Sequence, residues 1–263
     1  MTSRLFIAWR SEGTSGTAAG SGRVGWAPVG LLERTSAGGY RFAYTRGAQG
    51  LPGFHPFPGM ADLRAVYESD DLFPIFANRL MNERRPEYKP SLVWSGFDPD
   101  NPPDPIALLG VTEGLQQTDS LEVFPCPTPD SHGCFVNKFF IHGVRYVPPA
   151  AIERINRLQV GEPLVMMFDD FNRHDSQAVA VRTDDTEGRL MIGYVPRYLA
   201  YDVRLLCSTC HPEFIELRVE RINPSAPLQQ RVLCRMNACW PEGFDPCGGE
   251  DFQPIVSGAF AKC

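Results

Sequence analysis

The sequence predicts a mainly β protein with some helix, in which a small α+β domain precedes an antiparallel β-barrel with two short helices. Three observations predict this fold class. Short apolar runs bounded by turn residues recur along the chain, Pro, Asp and Gly concentrate in its middle, and helical spacing is confined to a few short segments. Because the middle stretch divides the strand-like runs into two groups, we expect two domains.

The composition provides enough apolar residues for two cores. The chain has 263 residues, of which 43% are hydrophobic. No segment approaches the roughly 20 apolar residues that a membrane helix needs, and the opening MTSRLFIAWRSEG holds only a brief apolar run. We therefore expect a cytoplasmic protein without a membrane partner.

The charges argue against non-specific binding to duplex nucleic acid. The chain has 25 Lys and Arg against 31 Asp and Glu, a net charge of −6, and acidic residues outnumber basic ones in each of the segments 1–137, 138–222 and 223–263. Non-specific duplex binding needs many clustered basic residues, because it is driven by counterion release. Any nucleic-acid site must therefore be local.

Residues 4–94 are predicted to form the small α+β domain. The runs RLFIAW and GYRFAYT have strand character, and DLFPIFANRLMNERR has apolar residues three and four apart, as in a helix. Large aromatic rings bury much apolar surface, so those of this segment are expected in its core. They are Trp9, Trp26, Tyr40, Phe42 and Trp94.

Residues 95–137 are predicted to form a Pro/Asp-rich linker. SGFDPDNPPDPIALLG and PCPTPDSHG hold many residues that suit turns better than regular elements. One short helix or strand, IALLGVTEGLQQ, can interrupt this linker.

Residues 138–223 have the pattern expected of the barrel. KFFIHGVRYV alternates like a strand, and PPAAIERINRLQ opens with Pro and has the apolar spacing of a short helix. Strand-like PLVMMF, AVAVRT and RLMIGYV, the helix PRYLAYDVRLL and a last strand EFIELRVERI follow. Residues 224–263, rich in Cys, Pro and Gly, are expected to run as an extended tail over the barrel.

Short polar side chains crowd into DDFNRHDSQ, between two predicted barrel strands. Asn172, His174, Asp175 and Gln177 offer donors and acceptors within one turn, and Arg145–Tyr146 supply a planar cation and a stacking ring. A structural interpretation is also open, because Asp, Asn and Ser bond to their own backbone in tight connections between strands.

The same segments carry a resemblance to a known family. GVRY, GEPLVMMFDDFNRHDSQAVAV and IGYVPRYLA hold, in order, a G-x-R-Y segment, an N-x-x-D loop, an A-x-x-V strand and an I-G-Y-x-P turn. They resemble the HIRAN domain, a module of helicase-like, fork-remodelling ATPases that also occurs alone in bacterial proteins. The resemblance implies an OB-like antiparallel β-barrel that captures the 3′ end of single-stranded DNA.

The resemblance also implies roles for individual residues. Arg145 and Tyr146 match the Arg-Tyr pair that meets the terminal nucleotide, and Asn172 and Asp175 match loop groups, with Asp175 accepting a hydrogen bond from a terminal 3′ hydroxyl. Arg197 lies near a family lysine that contacts phosphate. A carboxylate repels an internal phosphate but accepts a free hydroxyl, so this arrangement would distinguish an end from a continuous strand.

Three rings near this loop are expected to stack on unpaired bases, a contact that tolerates any sequence. They are Tyr146, Phe171 and His174. The family commonly has an amide at the position of Phe171 and an aromatic ring at that of His174. An imidazole here would make binding sensitive to pH.

The N-terminal segment carries a second resemblance. PVGLL, GGYRFAYTRGA and FPGMADLRAVYESDDLFPIFANRLMNE are similar to the small N-terminal subdomain of HipA-type toxin kinases. The sequence has neither a Walker A motif nor a kinase catalytic loop. For this domain we therefore expect packing or binding of a protein partner.

The cysteines suggest a possible zinc site. The chain has eight cysteines, too few for a disulfide scaffold, and reduced thiols or metal ligands are expected. Cys207, Cys210, Cys234 and Cys239 form two pairs with a separation that suits tetrahedral zinc. The alternative is that they are small buried apolar residues, in which case no cofactor is present.

The function expected from these features is non-enzymatic binding of single-stranded DNA, through its 3′ end. A protein–protein scaffold is an alternative, since the acidic balance and a long linker suit it equally well. A metal-dependent phosphodiester hydrolase is a second alternative, in which carboxylates of the loop hold Mg²⁺ or Mn²⁺. Its candidate ligands are Asp169, Asp170, His174 and Asp175.

Overall fold

The computed structural model describes residues 4–10, 26–114, 120–185, 188–258 and 260. The chain divides into two compact units. The first comprises residues 1–88, 103–126 and 245–263, and the second comprises residues 89–102 and 127–244. None of the helices in the described ranges has the length and apolar character of a membrane-spanning segment.

An antiparallel sheet of five strands, in the order β4-β3-β2-β1-β5, forms the centre of the first unit. The strands are β1 (Arg4–Arg10), β2 (Trp26–Arg34), β3 (Tyr40–Tyr44), β4 (Val66–Ser69) and β5 (Leu121–Pro125). Between β3 and β5 the chain forms the helices α1 (Gly47–Gly50), α2 (Pro74–Ala77), α3 (Tyr88–Trp94) and α4 (Pro105–Thr112). An aromatic cluster around the fully buried Phe42 fills the core, with the rings of Tyr44 and Phe76 centred 5.0 and 5.6 Å away.

The predicted core aromatics are partly confirmed. Trp26, Tyr40 and Phe42 are buried, whereas Trp9 is only partly buried against the core of the first unit. Trp94 is half-buried and belongs to the second unit. The predicted helix over 71–85 is limited to α2, because the turns that follow Asn78 interrupt the helical hydrogen bonds.

The segment predicted as a linker contains regular structure. Residues 105–112 form α4, whose first turn is capped by the Asp104 side chain accepting from the Ile106 N–H at 2.9 Å. Residues 121–125 form β5, which pairs with β1 at the edge of the first sheet. The Pro and Asp residues of this stretch therefore end and cap elements rather than keep the chain irregular.

A sheet of six antiparallel strands, in the order β6-β11-β10-β7-β8-β9, forms the second unit. Its strands are β6 (Cys134–Phe140), β7 (Pro163–Phe168), β8 (Val179–Thr183), β9 (Met191–Tyr194), β10 (Glu216–Ile222) and β11 (Val232–Cys239). Besides α3, most of which belongs to this unit, its helices are α5 (Pro149–Ile155) and α6 (Arg197–Thr209). The predicted extended tail therefore contains β11, which lies inside the sheet between β6 and β10.

The six-stranded sheet curls until its two edge strands meet. Directly after β6, the backbones of His142 and Tyr194 exchange two hydrogen bonds of 2.9 Å each, which join β6 to β9. Gly193 makes this approach possible, since an added Cβ would lie 2.4 Å from the carbonyl oxygen of His142 and 2.4 Å from Ile141 Cγ2. The predicted fold class, mainly antiparallel β with short helices and a small barrel, is confirmed.

Candidate nucleic-acid interface

Arg145 and Tyr146 lie on a 3₁₀ turn, residues Val144–Tyr146, which we call the Arg-Tyr turn. The sequence predicted one strand through KFFIHGVRYV, but β6 ends at Phe140 and Gly143 adopts a positive φ of 72°. The turn presents both side chains outward: Tyr146 is 74% exposed, and the Arg145 guanidinium lies over its ring at 4.6 Å from the centroid. This pair offers a flat cationic and aromatic surface to solvent.

Residues 169–178 form the polar loop, which connects β7 to β8. Asn172 organises it: its side-chain oxygen accepts from the backbone N–H groups of His174 and Asp175 at 3.0 and 3.2 Å. Its side-chain amide donates to Asp169 Oδ2 at 3.0 Å. Asn172 therefore fixes the conformation of the loop from within.

Asp175 and Arg197 face each other beneath the polar loop. Asp175 is 8% exposed, its Oδ1 accepts from the Gln177 N–H at 2.9 Å, and its Oδ2 lies 3.5 Å from Arg197 Nε. Arg197, the first residue of α6, donates from Nη2 to the His174 carbonyl at 2.8 Å. The charged partner of Asp175 in the structure is thus Arg197.

Tyr194 connects the Arg-Tyr turn with the polar loop. Its hydroxyl donates to Asp169 Oδ2 at 3.0 Å, and its ring lies against Gly143, where an added Cβ would be 3.2 Å from Tyr194 Cδ2. Burial and the hydrogen bond to Asp169 raise the pKa of Tyr194 above its ordinary value. This residue was not among the predicted site residues, although the I-G-Y-x-P pattern contains it.

The remaining predicted rings are held less firmly. Phe171 is 96% exposed at the tip of the polar loop. The His174 side chain is also exposed, and its backbone carbonyl accepts the hydrogen bond from Arg197. Both rings are therefore accessible to a ligand.

The carboxylates proposed as metal ligands each have a different partner. Asp169 accepts from Tyr194 and Asn172, Asp170 pairs with Arg204 at 2.7 Å, and Asp175 faces Arg197. A metal site needs several carboxylate oxygens directed at one point. Each of these carboxylates is thus bound to a protein partner, and the hydrolase alternative stays a prediction.

The four cysteines of the predicted zinc site are not equivalent. Cys210 and Cys239 form a disulfide between the end of α6 and the end of β11, which differs from the expected reduced thiols. Cys207 is half-buried and Cys234 is fully buried, and burial raises the pKa of both thiols. Two of the four sulfurs would have to be reduced before zinc could bind all four, so zinc binding stays a prediction.

Comparison with protein families adds to this geometry. The sequence model of the HIRAN domain matches residues 134–237. These residues form a HIRAN domain. The domain begins with β6 and reaches into β11, so it extends beyond both boundaries of the barrel predicted from sequence, 138 and 223. The resemblance of residues 4–94 to HipA-type kinases is outside this match and stays a prediction.

Solved structures share a weak likeness with the chain. A protein from Lactobacillus plantarum is 20% identical, covers 40% of this chain and 96% of its own, and has a TM-score of 0.30. The HIRAN domain of human HLTF is 15% identical, covers 41% of this chain and 80% of its own, and has a TM-score of 0.28. No curated protein gave a significant match to the sequence.

Proposed function

We propose that the HIRAN domain binds single-stranded DNA at the rim formed by the Arg-Tyr turn and the polar loop, without catalysis. The observation that carries the proposal is the exposed pair of Arg145 and Tyr146, which Tyr194 joins to the loop. Unpaired bases stack on such rings whatever the sequence, and each stack contributes about 1–3 kcal/mol. A site of this kind works in a chain with a net charge of −6, because it needs no broad basic surface.

We assign the 3′ terminus of the strand to the polar loop. Three carboxylates lie there, and two of them, Asp170 and Asp175, are balanced by arginines, whereas the partners of Asp169 are a hydroxyl and an amide. Arg173 on the same loop offsets one of these charges, so repulsion of a continuous phosphodiester backbone is local to the carboxylate oxygens of Asp169 and Asp175. A strand that ends there in a hydroxyl avoids this repulsion.

Asp175 is the acceptor that we assign to the terminal hydroxyl. Its Oδ2 lies 3.5 Å from Arg197 Nε, longer than a close charge-assisted hydrogen bond, so this oxygen retains acceptor capacity. The side chain is only 8% exposed, which suits a small neutral hydroxyl better than a bulky, charged phosphate.

The test compares one labelled single-stranded oligonucleotide with a free 3′ hydroxyl and the same strand with a 3′ phosphate, in anisotropy titrations of the full chain. We expect at least about tenfold tighter binding of the hydroxyl form, the effect of one lost hydrogen bond plus repulsion. Equal binding of the two strands would remove end capture, and absence of binding to either at low salt would remove the DNA-binding function. If neither strand binds at low salt, the result favours the alternative that the protein is a protein–protein scaffold.

The variant Asp175→Asn sharpens this experiment. The amide keeps the shape of the side chain but removes its charge, so the preference for the hydroxyl form should fall by several-fold. Arg218→Gln is the matched control, since Arg218 is an exposed cation on β10 that pairs with Glu216. Its variant should retain the full preference.

A further inference from the structure

A second aromatic and guanidinium pair lies at the other side of the polar loop. The guanidinium carbon of Arg204, on α6, lies 4.5 Å from the centroid of the Phe168 ring. Phe168 is the last residue of β7 and is 44% exposed. The arrangement matches that of Arg145 and Tyr146, whose guanidinium-to-ring distance is 4.6 Å.

Arg204 is fixed in place by the loop itself. It donates to the Gln177 carbonyl at 2.9 Å and to the Ala178 carbonyl at 3.1 Å, and pairs with Asp170 at 2.7 Å. These contacts hold the plane of the guanidinium against one face of Phe168. A ring ordered in this way loses little conformational freedom when a ligand stacks on it.

Phe168 stands at the open end of the barrel wall. Strand residues alternate between faces, so Phe168 shares a face with Leu164, which is buried. The same strand face therefore changes from core to solvent over four residues, and the ring projects beyond the core. Folding leaves part of the Phe168 ring in water. Transfer of a large apolar ring out of water is favourable, so a ligand that covers the ring is stabilised.

The two pairs lie along one rim. Phe168 pairs with Val179 on β8, the Val195 N–H donates to the Val179 carbonyl at 2.9 Å, and Tyr194 bridges to His142. Three inter-strand steps of about 4.8 Å therefore lead from Phe168 to His142, two residues before the Arg-Tyr turn, a path of roughly 15 Å along the curled sheet. A strand of a few nucleotides is long enough to reach both, since OB-type sites occupy about 4–16 nucleotides.

We propose that Phe168, backed by Arg204, is a second stacking platform for a nucleobase upstream of the 3′ end. The inference rests on the proposed function, because its ligand is the strand whose terminus lies at the polar loop. A base is favoured over an apolar protein segment because Phe168 directly precedes the polar loop, where the end of the strand is assigned, and a nucleobase stacks on a half-exposed ring. The platform makes affinity increase with strand length.

The test measures affinity of the full chain for oligothymidylates of about two to about ten nucleotides, all with a free 3′ hydroxyl, for wild type, Phe168→Leu and Phe168→Tyr. Leu keeps apolar bulk but has no π face, and Tyr keeps the ring. Wild type should bind the long strand more tightly than the shortest. In Phe168→Leu this gain should shrink by about tenfold, in keeping with one lost stack, and Phe168→Tyr should restore it.

Two controls separate the possible failures. Phe214→Leu removes another exposed ring, 59% accessible and beyond the C-terminal end of α6, and should leave the length dependence unchanged. Circular dichroism of each variant reports the fold. If wild type binds short and long strands equally, or if Phe168→Leu keeps the full gain, the second platform is refuted while the proposed function stands. If wild type binds no single-stranded DNA, the second platform and the proposed function are both refuted.

Discussion

The hydroxyl of Tyr194 donates a 3.0 Å hydrogen bond to Asp169 Oδ2, and the backbone of the same tyrosine pairs with His142. One residue thereby closes the barrel and anchors the polar loop. The position of the loop relative to the Arg-Tyr turn consequently depends on the folding of β9. The rim formed by the Arg-Tyr turn and the polar loop is therefore built by barrel closure rather than by the loop alone.

Removal of the Tyr194 hydroxyl should loosen the loop without unfolding the domain. We expect Tyr194→Phe to lower the free energy of unfolding by about 1 kcal/mol, the net contribution of one hydrogen bond. Affinity for single-stranded DNA should fall by several-fold, because Asp169 loses the partner that links it to β9. Urea denaturation and anisotropy measure the two effects.

Tyr201→Phe is the matched control for this change. Tyr201 is 54% exposed on α6, so its hydroxyl contributes little to folding. A drop in unfolding free energy as large as that of Tyr194→Phe would show that the measured loss is not specific to the Tyr194–Asp169 contact.

The first unit should lose stability at high pH through Tyr44. Desolvation raises its pKa to about 12, and its hydroxyl donates to the Met60 carbonyl at 2.8 Å. A pKa raised above the unfolded value of about 10 means that the stabilisation is complete below pH 10 and is lost as pH rises towards 12. Equilibrium denaturation should show that the free energy of unfolding decreases less between these pH values for Tyr44→Phe than for wild type. An identical decrease in the two proteins would contradict this assignment.

Closure of the barrel should depend on Gly193. Its φ is 148°, and a Cβ would come within 2.4 Å of a backbone oxygen, so Gly193→Ala should lower stability by roughly 2–5 kcal/mol. Gly161→Ala is the control: its φ is 83°, but an added Cβ meets nothing within 4 Å. Only conformational strain remains there, and a smaller loss of about 1–2 kcal/mol is expected. Thermal melts of both variants measure the difference, which would vanish if the edges of the sheet did not meet.

The disulfide should stabilise the second unit, and it excludes a zinc site that uses the same two cysteines. Cys210 and Cys239 are 29 residues apart, and a cross-link over a loop of this length stabilises by about 3–4 kcal/mol in the chain-entropy model. Reduction should lower the melting temperature, and Cys239→Ser should abolish that response. Mass spectrometry after alkylation counts the thiols, and bound zinc at one equivalent per chain would support the metal site instead.

Local patterns in the sequence were enough to predict most strands and the polar loop. AVAVRT and EFIELRVERI alternate or carry β-branched residues, and the structure places β8 and β10 there. The strand β11 was not predicted because Pro, Gly and Cys surround VLCRMNAC. Its pairing with β6 also joins segments about a hundred residues apart.

The sequence was enough to predict which residues belong to the site. It was not enough to predict which side chains of the site contact each other. Arg145 and Tyr146 were expected together because they are adjacent in sequence, and they do stack. The partners of Asp175 and Phe168, Arg197 and Arg204, come from α6, and no local rule specifies which cation of a helix meets which loop residue. Such contacts follow from tertiary packing.

The most direct test of the account is the affinity of the full chain for a short single-stranded oligonucleotide with a free 3′ hydroxyl, measured by anisotropy for wild type, Tyr146→Leu and Tyr146→Phe. Tyr146 is 74% exposed, so neither change should affect folding. We expect wild type and Tyr146→Phe to bind alike, and Tyr146→Leu to bind about ten-fold or more weakly because a base stack is lost. Equal binding by all three proteins would contradict it.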